Sequence, residues 1–162
     1  MSESPRTLIT TRLEFHDALR LAFSETSHAG SRELFLCDED FADWPLNEPE
    51  IIAALTRWAM PHRKLWMLAR HYDEVTRRHP RFVEWRRTWS HVMECRAAEE
   101  VDSGDLPTLF LAPSVVCVRL FDRIQIRGSL SHDTADFIRD RELFDAVSQR
   151  SEESFPASTL GL

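Results

Sequence analysis

Glycine is scarce in this chain, with only four among 162 residues. None of them belongs to a glycine-rich phosphate loop, and no serine lies in a G-x-S-x-G turn. The sequence therefore has neither the signature of a P-loop nucleotide-binding protein nor the exposed nucleophile of a serine hydrolase.

Cysteines are also few. Cys37, Cys95 and Cys117 lie inside short apolar runs, and no pair of them has the spacing of zinc ligands. The histidines are scattered without a metal-binding spacing, so we predict no metal and no cofactor. We interpret the odd number of cysteines as reduced, buried thiols of a cytoplasmic protein.

Long hydrophobic runs are missing as well. No stretch is long and apolar enough to span a membrane, and the polar N-terminus is not followed by the apolar region of a signal peptide. We therefore expect no membrane partner.

Charge is distributed unevenly, although the net charge is −7. Ten cations lie between Arg57 and Arg96 against four anions, and the rest of the chain holds ten cations and 23 anions. Such a segment could bind nucleic acid or another phosphate-bearing partner. The alternative, which we favour, is that acidic groups of the domain or of a dimer partner neutralise it. The anion-binding candidates in this segment are Arg63, Arg81, Arg86 and Arg87.

Apolar residues occur in a pattern typical of an α/β fold. Short apolar runs at residues 34–37, 65–69 and 92–95 are separated by segments with helical periodicity, which predicts a parallel sheet with crossover helices. Two further runs at residues 109–111 and 115–121 predict an antiparallel hairpin. The expected fold is α/β, with a mixed, mostly parallel sheet flanked by helices.

The length fits a single α/β domain, which we expect at residues 11–150. Residues 1–10 are predicted to form a flexible arm and residues 151–162 a frayed tail. Residues 123–127 alternate between polar and apolar types and predict one more strand.

Two helix starts carry capping patterns. Thr11 and Glu14 have the spacing of a capping box at the start of an amphipathic helix. Asp133 can cap a last helix. The residues expected to dock this last helix are Phe137, Ile138, Phe144 and Val147.

Asp38-x-Asp40 follows the first apolar run, where two carboxylates could hold magnesium in a phosphotransfer enzyme. The complete phosphatase pattern also needs a hydroxyl after the second strand and a lysine further on. The chain has Ala69-Arg70 at the first of these positions, and Lys64 lies at the wrong end of that strand. We favour a solvated acidic loop.

Two other features suggest contacts rather than catalysis. A turn before the last helix could hold an anion through Gly128, Ser129 and Ser131, although an ordinary strand-to-helix turn is the alternative that we favour. Trp44 lies in a long loop and is the tryptophan most expected to be exposed in a groove or an interface.

His62-x-Lys64 matches the first half of the phospholipase D motif H-x-K-x-x-x-x-D, but Ala69 stands where the aspartate should be. The order of elements nevertheless resembles one half of the phospholipase D fold. Its motif would then fall on Leu106, Thr108 and Pro113, none of which can supply the chemistry. The G-S-x-N motif that follows in that family is partly matched by residues 128–131, which have serine in place of the asparagine.

The chain also resembles an uncharacterised group of bacterial phospholipase D-like domains that lack the catalytic motif, some of them fused to acetyltransferase domains. The matching features are residues 32–41, 47–59 and 110–131. This resemblance implies a phospholipase D-like half-domain without the nucleophilic histidine, hence a pseudo-enzyme. It also implies a homodimer, because such halves commonly pair.

The main hypothesis is therefore a non-catalytic domain that binds another protein or its own copy. One alternative is a phosphate- or nucleic-acid-binding module that uses the arginine-rich segment 57–96. The other is a magnesium-dependent phosphotransfer enzyme that uses Asp38 and Asp40.

Overall fold

A computed structural model describes residues 6–102 and 104–156. The strands are β1 Thr7–Ile9, β2 Glu33–Cys37, β3 Lys64–Ala69, β4 Met93–Ala97, β5 Thr108–Ala112, β6 Val116–Asp122, β7 Arg127–Ser131 and β8 Glu152–Glu153. The helices are α1 Arg12–Ala29, α2 Pro49–Trp58, α3 Asp73–Arg78, α4 Pro80–Thr88 and α5 Thr134–Ser148, and a 3₁₀ turn covers Ser90–Val92.

One mixed sheet contains all eight strands of the described residues, in the order β1-β7-β6-β5-β2-β3-β4-β8. The predicted strand–helix alternation is confirmed, since β2, β3 and β4 are parallel neighbours joined through helices. The predicted β5–β6 hairpin is confirmed as well. The expectation of a mostly parallel sheet was wrong, because the five other pairings among the described strands are antiparallel. Short links join β5 to β6 and β6 to β7, and such links can only connect antiparallel neighbours.

Helices cover both faces of the sheet. Side chains alternate along β2, so that Leu34 and Leu36 face one side while Phe35 and Cys37 face the other. The first side carries the larger core, to which α1, α2, α3 and α4 contribute. The second side is packed by α5, through Phe137, Phe144 and Val147.

The capping predictions are confirmed. The Thr11 hydroxyl accepts the Glu14 amide at 3.1 Å while the Glu14 carboxylate accepts the Thr11 amide, also at 3.1 Å. The Asp133 side chain accepts the Ala135 amide at 2.9 Å at the start of α5. Ile138, expected on the docking face of α5, is 57% exposed because it points away from the sheet.

Both the predicted arm and the predicted tail contribute strands. β1 pairs with β7, and this pairing is stabilised because Ile9 is buried in the larger core. β8 pairs with β4, and the Phe155 ring beyond it stacks on Tyr72 with the ring centroids 4.8 Å apart. The rest of the arm, residues 1–5, and of the tail, residues 157–162, lies outside the described residues.

The strand predicted at residues 123–127 is a turn instead. One oxygen of Asp122 accepts the amides of Ile124 and Gln125, and this Asp turn ends β6. The following strand, β7, begins only at Arg127. Burial of the three cysteines is confirmed. Among the described residues, no helix combines the length and apolar character needed to cross a bilayer.

Candidate ligand-binding cleft

Most cations of the arginine-rich segment 57–96 are neutralised by nearby carboxylates. Six of the ten form ion pairs with carboxylates of the described residues. These pairs are Lys64–Glu94, Arg70–Glu39, Arg77–Glu74, Arg78–Glu74, Arg87–Glu84 and Arg96–Glu94. The segment therefore does not present a continuous basic surface.

The four candidate arginines of this segment have different partners. Arg63 donates to the carbonyl of Trp58 at 2.5 Å, and Arg81 donates to Asn47. Arg87 pairs with Glu84 on its own helix. Arg86 differs from the others because it is buried, with only 7% of its surface exposed.

The turn expected at residues 128–131 is part of the sheet. Gly128 and Ser129 lie in β7, which is paired with β1 on one side and β6 on the other. A Cβ at Gly128 would lie 1.9 Å from the carbonyl oxygen of Arg119, so the glycine permits close approach of two strands. The Ser131 hydroxyl donates to Asp136 at 2.5 Å. These residues therefore serve strand pairing and the start of α5 rather than an open anion-binding turn.

Trp44 is buried rather than exposed, with 3% of its surface accessible. Its loop folds back over the core, and its ring packs edge-on against Phe41 and Phe15 at centroid distances of 4.8 and 6.1 Å. The predicted exposure of Trp44, on which its place in an interface depended, was wrong, because the loop buries the ring against the core.

Asp38 and Asp40 shape the loop that follows β2. One oxygen of Asp38 accepts the Thr108 hydroxyl at 2.5 Å, and the other accepts the amides of Phe41 and Asp40 at 2.8 and 3.3 Å. Asp40 accepts the Ala42 amide. Burial raises the pKa of Asp38, and the Thr108 hydrogen bond opposes that rise. The parts of the chain that the structure describes contain no cluster of three metal-ligating side chains.

A cleft of about 310 Å³ opens where β5 begins and β6 ends, and we call it the β5–β6 cleft. Its wall includes Leu106, Thr108, Arg119, Phe121 and Arg123. A second cavity of about 240 Å³, which reaches Asp38 and Trp44, shares the walls at Thr108 and Arg123. The two cavities therefore adjoin across the Thr108–Asp38 hydrogen bond.

Arg119 reaches the cleft from β6, with 20% of its side chain exposed. Its Nη1 lies 3.6 Å from Asp140, an ion-pair distance too long for a hydrogen bond, and its Nε has no hydrogen-bond partner among the described residues. The guanidinium carbon lies 5.4 Å from the centroid of the Phe121 ring. Burial lowers the pKa of Arg119 and raises that of Asp140.

Arg123 lies in the exposed turn after β6. It makes no hydrogen bond or ion pair with any described residue, although its charge acts on Asp38 through space. The neighbouring Asp122 carboxylate already accepts two amides of the turn. Of the acidic groups on the wall, Asp105 is exposed to solvent. The cleft thus presents the guanidinium donors of Arg119 and Arg123 beside the exposed carboxylate of Asp105.

The described residues that line the cleft include no histidine, lysine or cysteine. Two histidines near the Asp38 loop bind carbonyl oxygens instead: His16 Nε2 lies 2.6 Å from that of Asp43, and His79 Nε2 lies 2.8 Å from that of Phe41. Burial raises the pKa of all three cysteine thiols, which disfavours a thiolate nucleophile at neutral pH.

Sequence reasoning missed both cleft arginines. Arg119 interrupts an apolar strand with a charge, and this break in the pattern was the available signal. Arg123 was assigned to a strand, and only the turn geometry brings it to the cleft.

The fold and the cleft together define an α/β domain with a mixed sheet and an arginine-lined cavity at one end of its hairpin. No family model matches the chain, and no curated protein matches it. Among solved structures, it is similar to TrmBL2, an archaeal chromatin protein whose structure is described as showing a novel mode of DNA binding. The identity is 16% and the TM-score 0.63, over 94% of this chain and 54% of that one. The chain thus spans about half the length of that protein, and the likeness concerns the fold.

Proposed function

We propose that this is a non-catalytic domain that binds a phosphate-bearing ligand in the β5–β6 cleft. The observation that carries the proposal is the pair of guanidinium groups at this site that keep hydrogen-bond donors without a described partner. Arg119 Nε has no hydrogen-bond partner and Arg123 makes no hydrogen bond among the described residues, whereas both oxygens of Asp38 and one oxygen of Asp122 accept hydrogen bonds from the chain. Arginine donors match phosphate oxygens in geometry and in charge.

The phospholipase D-like resemblance supports the same location. It would assign the family's histidine and lysine to Leu106 and Thr108, and both of these residues line the cleft. Without an imidazole nucleophile, the covalent phosphohistidine step of that family has no atom on which to form. A phosphate group would be held there without being cleaved.

Isothermal titration calorimetry with inorganic phosphate and with glycerol phosphate tests the proposal. Wild-type protein should bind, and Arg123→Gln should weaken binding by roughly tenfold, the loss expected for one charge-assisted contact. Arg32→Gln is the matched control, because it removes an exposed arginine outside the cleft. Failure of the wild type to bind either compound, or an equal loss in the control, would contradict the proposal. Phosphodiesterase turnover abolished by Arg123→Gln would contradict its non-catalytic part.

Nucleic acid is a second source of the same phosphate group, and the fold shared with a DNA-binding chromatin protein favours testing it. Binding to duplex or single-stranded DNA should fall steeply with added salt if phosphates are contacted. If DNA binds, and Arg123→Gln weakens that binding, the ligand is a nucleic acid. If only the small phosphates bind, the ligand is a small molecule.

A protein partner or a second copy remains part of the proposal. The homodimer that the resemblance implies is tested by light scattering at micromolar concentration. A mass of two chains is expected, and a mass of one chain would remove this part without affecting the cleft.

A further inference from the structure

A second cavity lies next to Arg86, near the edge of the sheet formed by β4 and β8. In the order of strands, β2 and β3 separate it from the β5–β6 cleft. Arg86 lies on α4, is 7% exposed, and forms no ion pair with any described carboxylate. One Nη donates to the carbonyl of Phe155 at 3.2 Å, and its Nε has no partner among the described residues. A buried cation without a counter-ion is costly, because desolvation is not repaid by a nearby opposite charge.

None of the described groups next to Arg86 serves as its counter-ion. Burial raises the pKa of Cys95 to about 12, so this thiol is uncharged at neutral pH even though Arg86 opposes the rise. Glu94 lies on the same wall but pairs with Arg96 at 3.1 Å and with Lys64 at 4.0 Å. Glu153 is exposed on β8.

Arg86 lines a cavity of about 330 Å³ between α4, β4 and the segment that follows β8. Met93 and Pro156 give this cavity apolar walls. Ser154 adds a hydroxyl, while its backbone amide is already bound to the carbonyl of Cys95. The volume suits a small molecule with a short hydrocarbon part. The cavity shares no lining residue with the β5–β6 cleft.

We propose that this cavity binds a small organic monocarboxylate, whose carboxylate pairs with Arg86 and whose hydrocarbon part lies against Met93 and Pro156. A guanidinium and a carboxylate form strong charge-assisted hydrogen bonds. The two glutamates on the wall repel a doubly charged phosphate more than a singly charged carboxylate. The site is therefore distinct in chemistry from the phosphate site proposed above.

The test follows the Arg86 Nε–H signal by nuclear magnetic resonance while wild-type protein is titrated with butyrate at constant ionic strength. A saturable shift of that signal is expected with butyrate and not with butanol, which has a similar size without the charge. Arg86→Gln should weaken butyrate binding by roughly tenfold or more. Arg87→Gln should bind like the wild type, because it removes the adjacent arginine, which is exposed and paired with Glu84.

Three outcomes would overturn this inference: no saturable shift with butyrate, an equal shift with butanol, or tighter binding of inorganic phosphate than of butyrate. The wild-type titration decides these outcomes even if Arg86→Gln does not fold. Loss of phosphate binding in Arg123→Gln together with unchanged butyrate binding would separate this site from the β5–β6 cleft.

Discussion

The hydrogen bond from Thr108 to Asp38 leads to a prediction that can be measured as stability. Thr108 is 3% exposed, and its hydroxyl donates to Asp38 at 2.5 Å. Thr108→Val keeps the shape of the side chain but leaves a buried carboxylate oxygen without this donor. A hydrogen bond to a charged group contributes about 2 kcal/mol, so the free energy of unfolding should fall by about that amount at neutral pH. For a chain of this length the melting temperature should fall by about 4–8 °C.

The raised pKa of Asp38 also predicts how the stability loss in Thr108→Val depends on pH. Burial raises the pKa of Asp38 above its ordinary 3.8, so ionisation of this carboxyl opposes folding as the pH rises. The Thr108 hydroxyl lowers that pKa and offsets part of the cost. Thr108→Val should therefore lose most stability at neutral pH, and its difference from wild type should shrink as the pH falls through the raised pKa of Asp38 and be largely gone once the pH reaches 3.8.

Urea denaturation of both proteins across this pH range is the assay. Thr108→Ser is the matched control, because it keeps the hydroxyl and removes one methyl group, at a cost of about 1 kcal/mol that does not depend on pH. A pH-independent loss in Thr108→Val, or a larger loss in Thr108→Ser at neutral pH, would refute the assignment of this hydrogen bond.

Three further substitutions test the fold. Thr11→Ala removes the capping box with Glu14, and the free energy of unfolding should fall by about 1 kcal/mol in urea denaturation; no change would contradict the cap. Gly128→Ala places a Cβ 1.9 Å from the Arg119 carbonyl, so we expect a loss above about 3 kcal/mol, and a fully stable variant would show that β6 and β7 do not approach so closely. Asp140→Asn should raise the free energy of unfolding at neutral pH, because burial raises the pKa of this carboxyl and so penalises its ionised form. That gain should disappear below pH 3.8, where the carboxyl is protonated in folded and unfolded chains alike, and a loss at neutral pH would contradict it.

The central part of the fold could be predicted because its signals are local. The apolar runs of β2, β3 and β4 and the helices between them follow from periodicity in short windows. The capping box at Thr11 is likewise contained in four consecutive residues. Such features need no knowledge of distant parts of the chain.

The remaining features depend on pairing between distant segments. The three residues of β1 form a strand only because β7, more than a hundred residues later, offers an edge that buries Ile9. Trp44 is buried because its loop folds onto Phe41 and Phe15. No pattern within a short window of sequence predicts such contacts between distant segments.

The candidate cleft was missed for a similar reason. Arg123 reaches it through a turn that depends on Asp122, and the sequence pattern of this region favours a strand. Arg86 is an anion-binding candidate from its place in the arginine-rich segment, and its role stays a prediction. Its burial beneath the segment around Phe155 could not be read from the helix that carries it.

The order of strands has a consequence for how this domain can be joined to other modules. β1 and β8 occupy opposite edges of the sheet, separated by seven inter-strand spacings of about 4.8 Å, or about 34 Å in all. Many domains bring their ends close together and can be inserted into a host loop. Modules fused directly before β1 and after β8 would therefore be attached at opposite edges of the sheet.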